Sequence, residues 1–336
     1  MKIALLSPIA WRTPPRRYGP WEQVVSGLAE GLVARGVDVT LFATGDSITS
    51  GKLQYCIDTP YAENPGVDIK VCECLHISKM MERAADFDII HNHYDFLPLT
   101  YSALIKTPVI TTIHGFSSPL IVPVYKKYND QGYYVAISNA NRHPDLNYAA
   151  TVYNGINKNE FTFNAHPKDY LVFFGRIHPE KGAWDAIQVA KQCGKKLVIA
   201  GLIQDESYFE NKIKPYINNI DIVYAGNCGP QQRDELLGSA AALLHLIHFD
   251  EPFGLSVAEA MCCGTPVIAF NRGSMPELIQ HTKTGFLVNT IEEAAGAVEQ
   301  LPVIKRNECR QWAMDSFSSE KMTDDYINVY KRILQY

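Results

Sequence analysis

The sequence predicts an α/β protein made of two doubly wound domains, each with a parallel sheet. Short runs rich in Val and Ile alternate with longer amphipathic segments along most of the 336 residues. Continuous apolar strands that alternate with helices are typical of parallel sheets covered on both faces. The alternation forms two series, and a chain of this length is long enough for two domains.

In the first series the apolar runs predict strands at 2–7, 37–43, 69–73, 88–92, 108–112 and 133–137. Helical periodicity predicts helices at about 20–35, 76–85, 97–105 and 139–147. In the second series the predicted strands are 170–174, 196–200, 220–224, 241–245 and 266–270. The predicted helices there are 183–193, 206–217, 230–238 and 256–263, and a last amphipathic helix follows at 319–334.

A polar segment from Tyr153 to Lys168 contains Asn-Gly and separates the two series, which makes it the predicted linker. We therefore expect the first domain to end at residue 160 and the second to occupy 161–318.

Composition and charge exclude several classes of protein. The net charge of −5 argues against general nucleic-acid binding. No apolar run is long enough to predict a membrane span, and the apolar start, 1–6, is shorter than a signal peptide. The eight cysteines include no Cys-x-x-Cys pair, so we expect reduced cysteines and a cytoplasmic protein.

Ligands of open parallel sheets bind beyond the carboxyl ends of the strands, and two such domains facing one another would share a cleft. The loop after the first strand is long, and Gly19 lies just before a predicted helix. A glycine at this position allows phosphate oxygens to approach the backbone, although an ordinary turn also explains it.

Histidines end two of the predicted strands of the first domain. His91 and His93 close one strand, and His114 follows another and is itself followed by Gly115. Three histidines near adjacent strand ends could bind zinc, but no fourth ligand or fixed spacing supports a metal site. A hydrogen bond from His114 to a sugar is the favoured interpretation, and a histidine satisfied by the backbone is the alternative.

Two cations lie at the corresponding edge of the second domain. A predicted buried strand ends at Gly175, and Arg176 and Lys181 bracket the turn into the next helix. Arginine binds phosphate through its forked donors, and lysine adds a compact charge. This placement predicts a phosphate site.

The most informative segment runs from Glu251 to Glu259. Between these carboxylates, Phe253-Gly254-Leu255 precedes a helix predicted to begin at about Ser256, which would offer backbone N–H groups to a phosphate. The carboxylates would accept hydrogen bonds from sugar hydroxyls. Ser256 to Glu259 also fits a capping box, so Glu259 has a structural alternative, whereas Glu251 has none.

Taken together, these motifs resemble the retaining glycosyltransferases of family 4, which have the GT-B fold. The resemblance covers nearly the whole chain, at Gly19, His114-Gly115, Asn154-Gly155-Ile156, Gly175-Arg176, Lys181-Gly182 and Glu251 to Glu259. It implies a UDP- or GDP-sugar donor and a hydroxyl acceptor on a glycan, a lipid-linked glycan or a small molecule. It also implies that helix 319–334 returns to the first domain, which then comprises 1–160 and 319–336.

The resemblance implies a role for each matching residue. Arg176 and Lys181 would neutralise the diphosphate, Glu259 would bind the ribose, and Glu251 and His114 would contact the transferred sugar. The implied donor-binding set is Gly19, Gly175, Arg176, Lys181, Glu251, Phe253, Gly254, Leu255 and Glu259. Fixed cations and a helix N-terminus would stabilise the leaving group, so we expect no metal and no further cofactor. Pro20 departs from the paired glycines usual in the first loop.

Several alternatives remain open at this point. They are a nucleotide-sugar epimerase or glycoside phosphorylase on the same fold, a non-catalytic nucleotide-sugar-binding subunit, and a zinc hydrolase built on the histidines. Peripheral membrane contact is compatible with a lipid-linked acceptor, but no long basic amphipathic helix indicates it. The oligomeric state is not predicted.

Overall fold

A computed structural model describes residues 1–116 and 118–335 and divides into two compact units. The first unit contains Met1–Gly155 and Ser319–Tyr336, and the second contains Ile156–Ser318. Tyr336, the last residue of the predicted first domain, lies outside the described residues. None of the helices in the described ranges has the length and apolar character needed to cross a membrane.

The first unit contains a sheet of seven strands whose pairings are all parallel, in the order β3-β2-β1-β4-β5-β6-β7. The central strands are apolar on both faces, as expected for a sheet covered on both sides. Its elements are β1 (Lys2–Leu6), α1 (Pro20–Ala34), β2 (Asp38–Phe42), β3 (Lys52–Gln54), α2 (Ile69–Met81), β4 (Ile89–Asn92), β5 (Val109–Ile113), α3 (Val122–Lys127), β6 (Tyr133–Ala136) and β7 (Tyr148–Thr151).

The second unit contains a sheet of six parallel strands in the order β10-β9-β8-β11-β12-β13. Its elements are β8 (Tyr170–Phe174), α4 (Ala183–Cys193), β9 (Lys196–Ala200), α5 (Glu206–Tyr208), β10 (Ile222–Gly226), α6 (Pro230–Ser239), β11 (Ala242–His245), α7 (Leu255–Cys262), β12 (Val267–Phe270), α8 (Met275–Leu278), β13 (Gly285–Val288), α9 (Ile291–Glu299) and α10 (Arg306–Phe317). The last helix, α11 (Ser319–Leu334), belongs to the first unit.

Each sheet reverses its strand order at one point. In the first unit β1 lies between β2 and β4, and in the second unit β8 lies between β9 and β11. The helices that follow such neighbouring strands go to opposite faces, which leaves a crevice at the carboxyl ends of the strands. The predicted fold class, two doubly wound parallel-sheet domains, is confirmed, and the reversal points show where to look for a site.

The predicted strand at 69–73 is wrong, because these residues begin α2. Asp68 caps this helix, and its Oδ1 accepts a hydrogen bond from the N–H of Val71 at 3.1 Å. The side chains of Ile69 and Val71 are about half exposed. These β-branched residues therefore lie on a solvent-facing turn of a helix. Composition alone does not distinguish such a turn from a buried strand.

Other differences concern short or irregular elements. The predicted helix at 139–147 is a series of turns that leads into β7, and the segment 97–105 forms only a 3₁₀ turn at Leu97–Tyr101. The predicted helix at 206–217 is divided into α5, a π-helical turn and a 3₁₀ turn. The strands β3, β7 and β13 were not predicted; all three are only three or four residues long and lie at sheet edges.

Helix α11 packs against α1, and small residues set the distance between them. Met322, Thr323, Tyr326, Val329 and Tyr330 of α11 are buried. A Cβ added to Gly31 of α1 would overlap the side chain of Thr323, whereas one added to Gly27 would lie 3.5 Å from Ser319 Oγ. Gly31 is therefore a contact position that requires glycine, and Gly27 is not.

These two glycines of one helix form a matched pair for a stability test. Replacing glycine by alanine in a helix stabilises it by roughly 1 kcal/mol. We expect Gly27→Ala to be neutral or stabilising, and Gly31→Ala to be destabilising by about 1–3 kcal/mol because the overlap must be relieved. Urea unfolding of both variants measures the difference. Equal stability of the two would show that α11 does not pack on α1 as described.

Candidate functional site

The strand reversal of the second unit brings together the loops that follow β8 and β11. Gly182, at φ +74°, directly precedes α4, and a Cβ added there would overlap the carbonyl oxygen of Leu246. The backbone N–H of His248 donates to the carbonyl of Glu180 at 2.8 Å. The two loops are therefore in direct backbone contact, which is achieved because glycine has no side chain at this position.

Lys181 and Glu251 form an ion pair across these two loops. The Nζ of Lys181 lies 2.6 Å from the Oε2 of Glu251, and each side chain is only 14% exposed. The ammonium also lies 4.5 Å from the centre of the Phe249 ring. Sequence analysis placed both residues at a ligand site, and the structure brings them together. A lysine ammonium has three N–H donors, so one of them on a carboxylate leaves others for an anion.

The turn after β12 supports the loop that carries Glu251. The N–H of Ser274 donates to the carbonyl of Glu251 at 3.0 Å, and its hydroxyl donates to the carbonyl of Phe253 at 2.6 Å. Gly273 adopts φ +55°, and a Cβ there would lie 2.5 Å from the backbone nitrogen of Glu251. The position of the Glu251 backbone is thus determined by backbone contacts from the neighbouring strand connection.

Helix α7 begins directly after this loop. Gly254, at φ +94°, precedes Leu255, the first helical residue, and makes no side-chain cap. The predicted capping box of Ser256 and Glu259 is therefore wrong, because the helix starts one residue earlier and Ser256 lies within it. Phe253 is buried, and it packs edge-on against Phe317. Because α7 follows β11, its N-terminus lies at the carboxyl edge of the sheet, the edge that also carries Lys181.

Glu259 is buried in α7 and paired with an arginine that sequence analysis did not identify. Arg233 Nη1 lies 3.0 Å from Glu259 Oε1, and its Nη2 lies 3.1 Å from Glu160 Oε2. Burial raises the pKa of Glu259, and the Arg233 charge opposes that effect. Arg233 also stacks on the ring of Phe161 at 5.0 Å. No motif in the sequence links α6 to α7, so only the tertiary structure reveals this pair.

Arg176 and Gly175 lie at the carboxyl end of β8. Arg176 is half-buried, and its guanidinium donates to the side chain of Gln204. The carbonyl of Gly175 is so close to Gly201 that a Cβ on the latter would overlap it. Arg176 is therefore on the same sheet edge as Lys181, and its guanidinium bonds only a neutral amide in the described contacts.

His245 closes β11 behind the ion pair. Its side chain is 7% exposed, and its Nε2 lies 3.7 Å from the Oε2 of Glu251. Burial lowers the pKa of the imidazole to about 4, with Glu251 opposing and Lys181 adding to the effect. The rule that drew attention to His91 and His93, a polar residue ending an apolar strand at the ligand edge, would also have found His245.

In the first unit the histidines form one buried cluster at the ends of β4 and β5. His93 Nδ1 and His114 Nε2 are 2.9 Å apart, and the indole of Trp21 stacks on His114 with 5.3 Å between ring centres. Burial lowers the pKa of His114 to about 3, so its imidazole is neutral at pH 7. The Nδ1 of His114 and the Nε2 of His93 are buried without a hydrogen-bond partner in the described structure.

The cluster continues to helix α11. His91 Nδ1 lies 2.7 Å from the hydroxyl of Tyr330, and its Nε2 lies 2.8 Å from Thr112 Oγ1, which contacts the hydroxyl of Tyr326 at 2.7 Å. His91 therefore has hydrogen-bonding partners for both ring nitrogens. Over residues 1–116 and 118–335, no group of three or more His, Cys, Asp and Glu side chains is arranged to hold a metal ion.

Gly19 lies at the strand reversal of the first unit, in the loop after β1. Its φ is +152°, and a Cβ there would lie 2.7 Å from the Cβ of Pro15. Pro20 is the first residue of α1, where a missing N–H costs the helix no hydrogen bond. Glu22 is buried in the first turn of α1, and burial raises its pKa to about 7. Its Oε1 accepts the N–H of Trp11 at 3.2 Å.

The Arg233 pair predicts a specific effect on stability. Arg233→Met removes the oppositely charged partner of the buried Glu259, and breaking a buried pair in this way costs about 3–5 kcal/mol. Lys195→Met is the matched control, because its pair with Asp169 is exposed and should contribute about 1 kcal/mol or less. Urea unfolding at pH 7 compares the two. Equal losses would contradict the buried-pair assignment.

The buried histidines predict loss of stability in acid. Burial lowers the pKa of His76 to about 4 and of His91 and His114 to about 3, and holds the pKa of His93 well below its usual value. Below pH 6.5 the unfolded chain binds protons that the folded unit does not. Each histidine should then lower the stability by about 1.4 kcal/mol per pH unit. Amide hydrogen exchange in β4 and β5 at pH 7.0 and 5.5, corrected for intrinsic rates, should show this; unchanged opening free energies would contradict it.

Comparison with known proteins connects both units to one family. Residues 21–157 match the family described as Glycosyltransferase Family 4, and residues 156–313 match Glycosyl transferases group 1. An uncharacterized glycosyltransferase of Methanocaldococcus jannaschii is 24% identical, and the alignment covers 98% of each chain.

Solved structures show the same fold. Sucrose-phosphate synthase of Thermosynechococcus elongatus superposes with a TM-score of 0.80 at 19% identity, covering 100% of this chain and 99% of that one. The HepE protein of Anabaena, solved in complex with UDP-glucose, gives 0.75 at 18% identity and covers 100% of both chains. The two parallel-sheet units therefore have the GT-B architecture, and the chain belongs to the family 4 glycosyltransferases.

Proposed function

We propose that this glycosyltransferase uses a nucleoside diphosphate sugar, with UDP or GDP as the nucleotide, and transfers the sugar to an acceptor hydroxyl with retention of configuration. The observation that carries the proposal is the Lys181–Glu251 pair beside the start of α7. It joins a cation for a phosphate and a carboxylate for sugar hydroxyls at the strand reversal of one sheet. The UDP-glucose complex of the structurally similar HepE supports a donor of this class.

The diphosphate is assigned to the positive groups of this edge. Lys181 is mostly buried and offers N–H donors beyond the one on Glu251. Arg176 adds a forked donor at the half-buried carboxyl end of β8, and Gly175, which has no side chain, leaves room for the phosphate to approach this guanidinium. The N–H groups of Phe253, Gly254 and Leu255 lie where the dipole of α7 favours negative charge.

The hydroxyl groups of the donor are assigned to the carboxylates. Glu251 accepts from hydroxyls of the transferred sugar, because the contacts of its loop with Ser274 and Gly273 hold its backbone in place. Glu259 accepts from the ribose, and Arg233 keeps this buried carboxylate ionised and oriented. In the first unit, the neutral His114 has a ring nitrogen that finds no hydrogen-bond partner among the described residues, and it is the group proposed to hydrogen-bond a sugar hydroxyl there.

These assignments describe a reaction in which the enzyme mainly stabilises a leaving group. As the bond from the anomeric carbon to the phosphate oxygen breaks, negative charge grows on the diphosphate and positive charge on the sugar ring. Lys181, Arg176 and the start of α7 stabilise the first of these charges. The acceptor oxygen attacks from the face that the diphosphate leaves, and its proton passes to the departing phosphate oxygen. This scheme requires no covalent protein nucleophile and no metal ion.

The proposal predicts that Lys181→Met and Glu251→Gln lose activity and donor binding. Removing one such contact to the transition state costs about 2.7–4 kcal/mol, or roughly a hundredfold to a thousandfold in rate. Activity is measured as release of UDP from UDP-glucose, or of GDP from GDP-mannose, with sugar acceptors present. Thermal unfolding measures donor binding, since a ligand at a hundred times its Kd stabilises the protein by about 2.7 kcal/mol.

Lys214→Met is the control, because Lys214 forms an exposed ion pair within its own helix turn. It should retain wild-type activity and the same shift in unfolding temperature. A wild-type protein that no nucleoside diphosphate sugar stabilises would contradict the proposal, as would Lys181→Met and Glu251→Gln variants that turn over like the control.

A further inference from the structure

His245 occupies a place in the second unit that its packing does not explain. It is the last residue of β11, it is buried, and its Nε2 has no hydrogen-bond partner within the described residues. Leaving a buried polar nitrogen unpaired destabilises a protein, and such atoms are uncommon in native structures. An apolar residue would fill this strand position without that loss, so the imidazole calls for a functional explanation.

Among the described residues, the charged group that approaches this nitrogen is the carboxylate of Glu251. His245 Nε2 lies 3.7 Å from Glu251 Oε2, the same oxygen that Lys181 Nζ contacts at 2.6 Å. A separation of 3.7 Å is too long for a hydrogen bond, and a side-chain movement of less than 1 Å would make one. The carboxylate therefore has one partner in contact and a second within reach.

The chemistry of the two partners differs in a useful way. At pH 7 the buried imidazole is neutral, and a carboxylate that only accepts hydrogen bonds favours the tautomer with hydrogen on Nε2. The ammonium of Lys181 is charged, and a diphosphate competes with Glu251 for it. The imidazole carries no charge, so a diphosphate does not attract it away from the carboxylate.

We propose that His245 is a positioning residue that holds Glu251 when Lys181 turns to the diphosphate of the donor. The Nε2–H of His245 then donates to Oε2, which keeps Glu251 aimed at the hydroxyls of the transferred sugar. This inference rests on the function proposed above and deepens it. It assigns to His245 a part in distinguishing a nucleoside diphosphate sugar from the bare nucleoside diphosphate, because only the former needs an oriented Glu251.

Two variants separate the hydrogen bond from the shape of the side chain. His245→Leu removes the donor, whereas His245→Gln retains an N–H at a similar distance from the backbone. The probes are UDP with UDP-glucose and GDP with GDP-mannose, each titrated by calorimetry into the full-length protein. We expect His245→Leu to bind the nucleotide sugar roughly tenfold to a hundredfold more weakly than wild type. We expect its affinity for the bare diphosphate to be unchanged, and His245→Gln to recover most of the loss.

His248→Leu, three residues along the chain, is the matched control, because His248 is half exposed and paired with Asp185. It should bind both members of each pair as wild type does, and thermal unfolding of all variants verifies that the second unit is folded. The positioning role would be overturned if His245→Leu and His245→Gln weakened binding of the nucleotide sugar equally. It would also be overturned if His245→Leu weakened binding of the bare diphosphate as much as binding of the nucleotide sugar. Wild-type protein that binds neither nucleotide sugar would instead overturn the proposed function itself, and this inference with it.

Discussion

The contact between the loops after β8 and β11 is the constraint on which the second unit's site depends. Gly182 allows one loop to touch the backbone of the other at Leu246, and the Lys181–Glu251 ion pair spans the same junction. A side chain at residue 182 would separate the loops and remove the cation from the carboxylate. The site is thus a consequence of strand order, which makes β8 and β11 neighbours, and of one residue that lacks a Cβ.

Burial shifts the pKa values of ionisable side chains in both units. Burial raises the pKa of Glu259, the charge of Arg233 beside it opposes that effect, and Arg233 is in turn shared with Glu160. In the first unit, burial keeps the imidazoles of His93 and His114 neutral. Burial therefore disfavours the charged form of ionisable groups in both units, and a neighbouring group of opposite charge, such as Arg233 beside Glu259, opposes that effect.

The sequence predicted the parts of the fold that bury the most apolar surface. The predicted strands at 170–174 and 196–200 and the helices at 183–193 and 319–334 coincide with the observed elements. The missed strands β3, β7 and β13 are three or four residues long and lie at sheet edges, and β3 and β7 are not fully buried. The strand predicted at 69–73 failed for the opposite reason, since Ile69 and Val71 are apolar residues on an exposed helix turn.

The sequence by itself determined the doubly wound class and the segments at the strand ends, because alternating apolar runs and glycine-punctuated turns are local signals. It predicted Lys181 and Glu251 as candidate site residues through the rule that ligands bind beyond the carboxyl ends of strands, and the structure pairs the two side chains. Only the tertiary structure decided which side chains meet. The Arg233–Glu259 pair, the approach of His245 to Glu251 and the absence of a capping box at Ser256 all depend on contacts between distant segments or on where a helix begins. Such contacts leave no periodicity in the chain, since they arise only when strands are ordered and side chains are excluded from water.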